Sequence, residues 1–225
     1  MKIYTLHSIA NNGLSLPTNQ FLSFIKYIKK KYNVISPNQF CSGEWDDNCI
    51  MLTFDDCFAD NFSNVLPVLD DFKIQATFFC ALDYRDKILW GSTQEQRWSK
   101  ERRDSFNIPF SFMSVKELNI LRDFGHEIGC HTYSHRNLDQ LNEDELKIEV
   151  LDAKRKLESL IDSPVRLFAY PRGRYNNNVV KAVENAGFHF AFTTVSDACS
   201  FQNFRNCPYE IPRLPIAKRR FIGWY

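Results

Sequence analysis

The chain has 225 residues, of which 44% are hydrophobic and 24% charged, and these values are typical of one large compact domain. Its 28 basic and 27 acidic side chains leave a formal net charge of +1, so there is no overall field to attract nucleic acid or an anionic membrane. No stretch approaches the ~18 consecutive apolar residues of a membrane span, and we expect no integral membrane segment.

The cysteines and the first residues of the chain predict its location. Seven cysteines, an odd number without a CxxC pair, are typical of free thiols in a reducing compartment. The residues before Asn11 lack the sustained apolar stretch of a signal peptide. We therefore expect a cytoplasmic protein, free or peripheral to the inner face of the membrane, and the oligomeric state stays open.

Short apolar runs alternate with helical patterns along the chain. Helical spacing of apolar residues runs from Phe21 to Ile28 and from Leu146 to Leu160. This alternation predicts an α/β domain with a parallel sheet, either closed as a barrel or open and doubly wound. The predicted strands are Lys2–Leu6, Ile50–Phe54, Ile74–Cys80, Glu127–Cys130, Val165–Tyr170 and Phe188–Thr194.

One stretch, at about residues 83–112, follows neither period. Long irregular segments in compact domains are usually functional or disordered, and we interpret this one as an insertion at the rim of the fold. No internal repeat or Gly/Ser-rich linker marks a boundary, so residues 1–225 are predicted to form a single domain.

Two polar clusters indicate a metal-dependent hydrolytic site. Asp55 and Asp56 follow an apolar strand, at the sheet edge where α/β folds build sites, although an isolated pair of this kind is commonly a turn or helix cap. His131 and His135 would share one face of a helical turn and hold one metal ion, although such pairs are more often surface or core histidines. Two imidazoles and one carboxylate together form the ligand set of catalytic metal sites, which leaves the other aspartate as the base.

A third motif completes a resemblance to a known family. Thr53-Phe54-Asp55-Asp56, His131-Thr132-Tyr133-Ser134-His135 and Tyr170-Pro171-Arg172-Gly173 are similar to the TFDD, H[ST]xxH and proline–glycine motifs of the polysaccharide deacetylases. These proteins are also called NodB-homology carbohydrate esterases, and the resemblance spans the chain. It implies a distorted (β/α) barrel.

The resemblance also implies roles for the site residues. One divalent metal ion, commonly zinc, would be held by Asp56, His131 and His135. Asp55 would be the general base that removes a proton from metal-activated water. By the same resemblance, the backbone N–H of Arg172 would contact the oxyanion. Tyr133, whose ring can stack on a sugar, and Tyr170 and Pro171 of the third motif are further candidates for oxyanion or substrate contacts.

The chain departs from the family pattern at the base. Cys57 replaces the usual glycine after the two aspartates, and Ala169 replaces the arginine that holds the base aspartate. The sequence leaves four substitutes for that arginine open: Arg166, Arg172, Arg174 and Arg213.

The general acid also departs from the pattern, because the region around Leu214 lacks the late histidine of most family members. Leu6-His7-Ser8-Ile9 resembles the opening segment of the branch that deacetylates poly-N-acetylglucosamine, where an early histidine is thought to replace the late one. His7 also directly follows the predicted strand Lys2–Leu6, which would aim it at the same sheet edge. It is therefore our candidate acid, with a core or loop histidine as the alternative.

These features predict an enzyme that removes an N-acetyl or similar N-acyl group from an amino sugar in a polysaccharide or its biosynthetic intermediate. Its partner would be an amino-sugar-containing glycan or glycan precursor. One alternative is a deformylase or other small-amide hydrolase that uses the same site. Another is a catalytically silent glycan-binding homologue, suggested by Ala169 and the missing late histidine.

Overall fold

Parallel strands and their connecting helices form a distorted (β/α) barrel in the computed structural model, which describes residues 1–12, 15–84, 88–90, 109–197 and 199–216. The strands of the main sheet are β1 (Lys2–Leu6), β2 (Asn33–Val34), β3 (Cys49–Asp55), β4 (Thr77–Cys80), β7 (Glu127–Cys130), β8 (Leu167–Ala169), β9 (Phe190–Phe192) and β10 (Leu214–Pro215). A separate antiparallel pair consists of β5 (Ile88–Trp90) and β6 (Pro109–Ser111).

The helices lie between these strands in the chain. They are α1 (Thr18–Lys31), α2 (Pro37–Ser42), α3 (Leu66–Asp71), α4 (Val115–Asp123), α5 (Glu143–Lys147), α6 (Ala153–Ile161), α7 (Asn177–Asn185) and α8 (Phe201–Asn206). One π-helical turn, Asn61–Val65, precedes α3, and another, Ile148–Asp152, joins α5 to α6. None of the helices in the described part of the chain has both the length and the apolar composition needed to cross a membrane.

The segment 208–216 joins the two edges of the sheet. The strand order is β10-β1-β3-β4-β7-β8-β9, with β2 beside β3. On one side of the segment, the N–H of Thr193 donates to the carbonyl of Ile211 at 2.8 Å. On the other, the N–H of Ile216 donates to the carbonyl of Thr5 at 2.9 Å. These bonds connect β9 to β1 through the segment, so the strands form a barrel rather than an open doubly wound sheet. The family resemblance implied this barrel.

Side chains of β3 alternate between two cores. Leu52 and Phe54 belong to the core between the sheet and the helices, whereas Met51 belongs to the core inside the barrel. Because successive side chains of a strand point to opposite faces, Thr53 and Asp55 share the inward face of Met51. The strand therefore places one carboxylate inside the barrel, at the carboxyl end of the sheet.

The predicted strands are all present, with β1 and β7 at the predicted bounds and β4, β8 and β9 shorter. Strands β2 and β10 were missed because two residues are too few to show a pattern. The helix predicted from Leu146 to Leu160 is interrupted by the π-helical turn. Within the predicted rim insertion, residues 85–87 and 91–108 lie outside the described residues, and the insertion stays a prediction.

Candidate active site

The end of β3 separates the two aspartates. Asp55 is the last strand residue, whereas Asp56 and Cys57 adopt left-handed conformations with φ of 71° and 53°. This turn carries Asp56 out of the barrel interior. The buried Cys57 thiol hydrogen bonds with that of Cys80, and burial together with this contact raises the Cys57 pKa, which disfavours a thiolate ligand.

Asp56 meets the two histidines of the loop that follows β7. His135 Nε2 lies 3.3 Å and His131 Nε2 lies 3.7 Å from Asp56 Oδ1, and one ligand atom from each residue lies within 4.8 Å of the others. The histidine pair does not lie on a helical turn, and that part of the prediction was wrong. Thr132 and His135 have φ of 72° and 59°, so an irregular loop brings the imidazoles together.

The chemistry of these three side chains suits a cation. His131 Nδ1 lies 2.7 Å from the carbonyl oxygen of Ala169, an arrangement that makes Nδ1 the donor and leaves Nε2 with a free lone pair. Burial lowers the pKa of His131 to about 4 and that of His135 to about 3, so both imidazoles are neutral at pH 7. Asp56 Oδ1 is buried and has no hydrogen-bond partner among the described residues. A divalent cation would satisfy this oxygen and both nitrogens.

Asp55 is held by Arg213, one of the four arginines that the sequence left open. Two guanidinium nitrogens donate to the two carboxylate oxygens at 2.7 and 2.8 Å, and Arg213 also donates to Thr53 Oγ1 at 3.1 Å. Burial alone would raise the Asp55 pKa, but the charge and hydrogen bonds of Arg213, together with the charges that His131 and His7 carry when protonated, outweigh it. The pKa of Asp55 therefore lies well below its usual range, and the carboxylate is ionised.

Glu149 anchors the loop that carries the histidines. It belongs to the π-helical turn between α5 and α6 and is buried, with 3% of its surface exposed. Its carboxylate accepts hydrogen bonds from the N–H groups of Tyr133 and Ser134 at 3.1 and 2.9 Å, and from the Ser134 hydroxyl. A single buried acid thus fixes the backbone between the two imidazoles.

The proline–glycine motif forms a tight turn beside this loop. Arg172 has φ of 56°, and its guanidinium donates to the His135 carbonyl at 3.2 Å and to Asn137 Oδ1 at 3.0 Å. Gly173 has φ of +65°, and a Cβ there would lie 2.0 Å from Thr194 Oγ1. The turn is therefore hydrogen bonded to the loop that carries His131 and His135 on one side and packed against Thr194 on the other.

Backbone strain is concentrated at these loops. Residues other than glycine adopt positive φ only at a cost, and such positions cluster at functional sites. The described residues include seven of them, and five lie in the loops of the site: Asp56, Cys57, Thr132, His135 and Arg172.

The tyrosines and the proline of the predicted substrate contacts differ in accessibility. Tyr133 is 39% exposed, whereas Tyr170 and Pro171 are buried. The Tyr170 hydroxyl donates to the carbonyl of Tyr209 at 2.9 Å, inside the core between sheet and helices. We therefore assign the Tyr170 side chain to the core rather than to the substrate.

His7 lies at the same edge of the barrel as the aspartates. Leu6 pairs with Phe54 in the parallel register of β1 and β3, which places His7 level with Asp55. The imidazole is exposed, and its positive charge contributes to the lowered pKa of Asp55. Burial raises the pKa of Asp56, and the charges of His131 and His7 oppose this effect only in part. The strand register therefore places His7, the predicted general acid, close enough to the two aspartates for its charge to act on them.

Tyr84 is a site residue that the sequence analysis missed. Its ring stacks on that of His135, with centroids 5.5 Å apart, and contacts the Phe112 ring in a tilted arrangement with centroids 4.9 Å apart. Burial, followed by the charge of Asp56, raises the Tyr84 pKa to about 12, so the phenol is neutral. The signal available was its place just after β4, at the carboxyl edge of the sheet, but we assigned it to the rim insertion.

Comparisons with known proteins agree with this geometry. The family described as "Polysaccharide deacetylase" matches residues 42–191. YxkH of Bacillus subtilis is 25% identical over 210 residues, which cover 89% of this chain and 66% of that protein. The poly-beta-1,6-N-acetyl-D-glucosamine N-deacetylase of Staphylococcus aureus is 25% identical over 221 residues, covering 92% of this chain and 69% of the relative. The chain thus spans about two thirds of the length of these relatives.

A solved structure shares the fold. IcaB from Ammonifex degensii superposes with a TM-score of 0.78 at 18% identity, covering 98% of this chain and 93% of the other. The family match extends over well more than half of the chain and includes Asp55, Asp56, His131 and His135. From its sequence match and its barrel, this chain belongs to the polysaccharide deacetylase family.

Proposed function

We propose that this chain hydrolyses the N-acetyl, or a similar N-acyl, group of an amino sugar in a polysaccharide or its biosynthetic intermediate. The observation that carries the proposal is the convergence of Asp56, His131 and His135 beside the arginine-bound carboxylate of Asp55. The name of the staphylococcal relative, an N-deacetylase of poly-N-acetylglucosamine, supports the substrate class.

Asp56, His131 and His135 would hold one divalent cation, and their mixed nitrogen and oxygen atoms suit zinc. When bound, such a cation acts as a Lewis acid that polarises the acyl carbonyl and acidifies a water molecule. Three protein ligands are the usual number in catalytic zinc sites, where the remaining positions are left to water and substrate.

Asp55 would accept the proton of the attacking water. Its lowered pKa keeps it ionised at neutral pH, and Arg213 fixes both carboxylate oxygens. A carboxylate of such low pKa is a weak base. Proton removal therefore depends on prior acidification of the water, and we expect the metal-free protein to be inactive.

His7 would supply the proton to the amine that leaves. An amine is a poor leaving group unless it is protonated, and His7 is level with Asp55 in the strand register. The backbone N–H of Arg172 would donate to the oxyanion that forms on the acyl carbon. This assignment gives the base, the acid and the oxyanion donor to different loops of one barrel edge.

The pairing of Arg213 with Asp55 favours an enzyme over a silent glycan-binding homologue. Ala169, where family members have an arginine, was one of the two reasons for considering a silent protein. Since another arginine holds Asp55, that reason no longer applies.

Release of acyl groups by the zinc-loaded protein tests the proposal. N-acetylglucosamine oligosaccharides should yield acetate, and N-formylated amino sugars would yield formate if the enzyme is instead a deformylase. Asp55→Asn should abolish release while the protein retains its metal. Absence of acyl release from every amino sugar offered to the metal-loaded protein would overturn the proposal.

A further inference from the structure

The loop that carries His7 is held by side chains from a distant part of the chain. Asn61, which begins the π-helical turn before α3, donates from Nδ2 to the His7 carbonyl at 2.9 Å. Asp60 accepts from the N–H of Ile9 at 2.8 Å and from the Ser8 hydroxyl at 2.5 Å. The backbone on the C-terminal side of the His7 ring is therefore bonded to two adjacent residues.

Further bonds close this arrangement into a network. Asn61 Nδ2 also donates to Asp60 Oδ1 at 3.0 Å, so the two side chains orient each other. Asn64, from the same π-helical turn, donates to the Ile9 carbonyl at 2.8 Å. The hydroxyls of Ser8 and Ser15 lie 2.5 Å apart. The loop backbone thus has little freedom, whereas the imidazole of His7 is exposed.

The burial of Asn61 is not explained by a gain in folding stability. The residue is fully buried, and its Oδ1 has no hydrogen-bond partner in the part of the chain that the structure describes. Such an unpaired buried oxygen costs free energy that an apolar side chain would avoid. What the amide supplies is its contacts with the His7 carbonyl and Asp60. π-Helical turns within helices are also frequent at functional sites.

We propose that Asp60 and Asn61 are positioning residues that hold His7 for proton donation to the leaving amine. Asp60 follows Asp56 by only four residues, so one short segment carries Asp55 and Asp56 and also the side chains that hold the His7 loop. Base, metal ligand and acid would therefore keep a constant relative geometry. This inference rests on the proposed function, in which His7 is the general acid.

Two substrates separate a positioning effect from a general loss. An N-acetyl amino sugar needs its amine protonated, whereas 4-nitrophenyl acetate releases a stable phenolate without an acid. In the zinc-loaded protein, we expect Asn61→Ala to lower kcat for the amide by about 10-fold or more with little change in KM. Turnover of the aryl ester and the zinc content should stay within about two-fold, as they should in His7→Ala.

Control variants come from the same π-helical turn. Ser63→Ala alters an exposed residue and should leave both activities unchanged. Val65→Ala removes core volume, so it should lower the melting temperature without selective loss of amide turnover. The double variant His7→Ala/Asn61→Ala should be no slower than His7→Ala alone, because a positioning residue has no effect once its target is gone.

Several results would overturn the inference. Normal amide turnover in Asn61→Ala, equal loss on both substrates, or a double variant slower than His7→Ala would each do so. Normal amide turnover in His7→Ala would remove its premise. If the wild-type protein releases no acyl group at all, the proposed function fails instead. If Asn61→Ala does not fold, Ser8→Ala can replace it, because this substitution removes one hydrogen bond to Asp60. Ser8→Ala should show the same selective loss of amide turnover to a smaller extent. Unchanged amide turnover in Ser8→Ala would then overturn the inference.

Discussion

Arg213 and Asp55, 158 residues apart in the chain, form a bidentate ion pair inside the barrel. The guanidinium carbon lies 5.4 Å from the ring centroid of Phe79 and 5.9 Å from that of Phe192. Arg213 is fully buried and Asp55 is 2% exposed. Removal of one partner would leave the other as an uncompensated charge in an apolar environment.

Arg213→Met should therefore affect both stability and catalysis. We expect the free energy of unfolding to fall by about 3–5 kcal/mol, because the charge of Asp55 stays buried without its partner. The Asp55 pKa should rise, and the acid limb of the kcat/KM profile should move to higher pH. Urea unfolding and pH–rate profiles measure these changes.

Arg174→Met is the matched control, since the pair of Arg174 with Asp139 is partly exposed and should contribute at most about 1 kcal/mol. Equal effects of the two substitutions would contradict the prediction.

His131→Ala and His135→Ala should each abolish retention of a stoichiometric divalent ion. Each substitution removes a neutral nitrogen ligand, and two remaining side chains are too few for a tight site. Metal content after gel filtration, measured by mass spectrometry, tests this. His189→Ala, a change at an exposed histidine, should retain the ion. Retention by both ligand variants would remove the metal assignment.

Glu149→Gln should weaken metal binding without removing a ligand. The uncharged amide keeps only one acceptor oxygen, so the hydrogen bonds from the N–H groups of Tyr133 and Ser134 lose their charge assistance and the Ser134 hydroxyl loses its acceptor, which loosens the loop between His131 and His135. Outer contacts of this kind are worth roughly 10–100-fold in metal affinity. Competition with a zinc chelator measures the change. Glu145→Gln, in an exposed helix cap, should bind zinc as the wild type does, and an equal affinity in Glu149→Gln would refute the role of Glu149.

Tyr84→Ala should raise KM for the oligosaccharide by about five-fold or more, because a partly exposed ring next to His135 offers an apolar face to a sugar. Tyr84→Phe keeps the ring and should stay within about two-fold of wild type. Steady-state kinetics on the same oligosaccharide compare the two. An unchanged KM in Tyr84→Ala would place sugar binding elsewhere.

His126 should make the protein less stable as the pH falls. Burial lowers its pKa to about 4 from the ordinary 6.5, and its Nδ1 accepts a hydrogen bond from the N–H of Ala76. Between these pH values the unfolded chain binds more protons than the folded protein, so the stabilisation present above pH 6.5 is lost as the pH drops towards 4. His126→Gln should lose less stability over this range than wild type, by on the order of 2–3 kcal/mol. Urea unfolding at several pH values measures this. His189→Gln changes an exposed histidine and should follow the wild type. An equal dependence of unfolding free energy on pH in His126→Gln and the wild type would contradict the prediction.

Local patterns located most of the strands and the three residues that converge at the candidate metal site. The β1 and β7 predictions matched because short segments of four or five residues with apolar or β-branched side chains are signals that neighbouring residues carry by themselves. The helical turn expected between His131 and His135 was wrong because two residues with positive φ re-route the chain there. Such backbone conformations are stabilised by contacts with residues distant in the chain, here by the hydrogen bonds of the loop to the buried carboxylate of Glu149.

By itself, the sequence determined the class of fold, the family resemblance and the aspartate and histidine residues that meet at one barrel edge. These follow from periodicity and from short motifs, whose residues are close in the chain. Only the tertiary structure decided which arginine holds Asp55 and that Tyr84 stacks on His135. Arg213 reaches Asp55 because the segment 208–216 joins β9 to β1, and such long-range closure leaves no local pattern in the sequence.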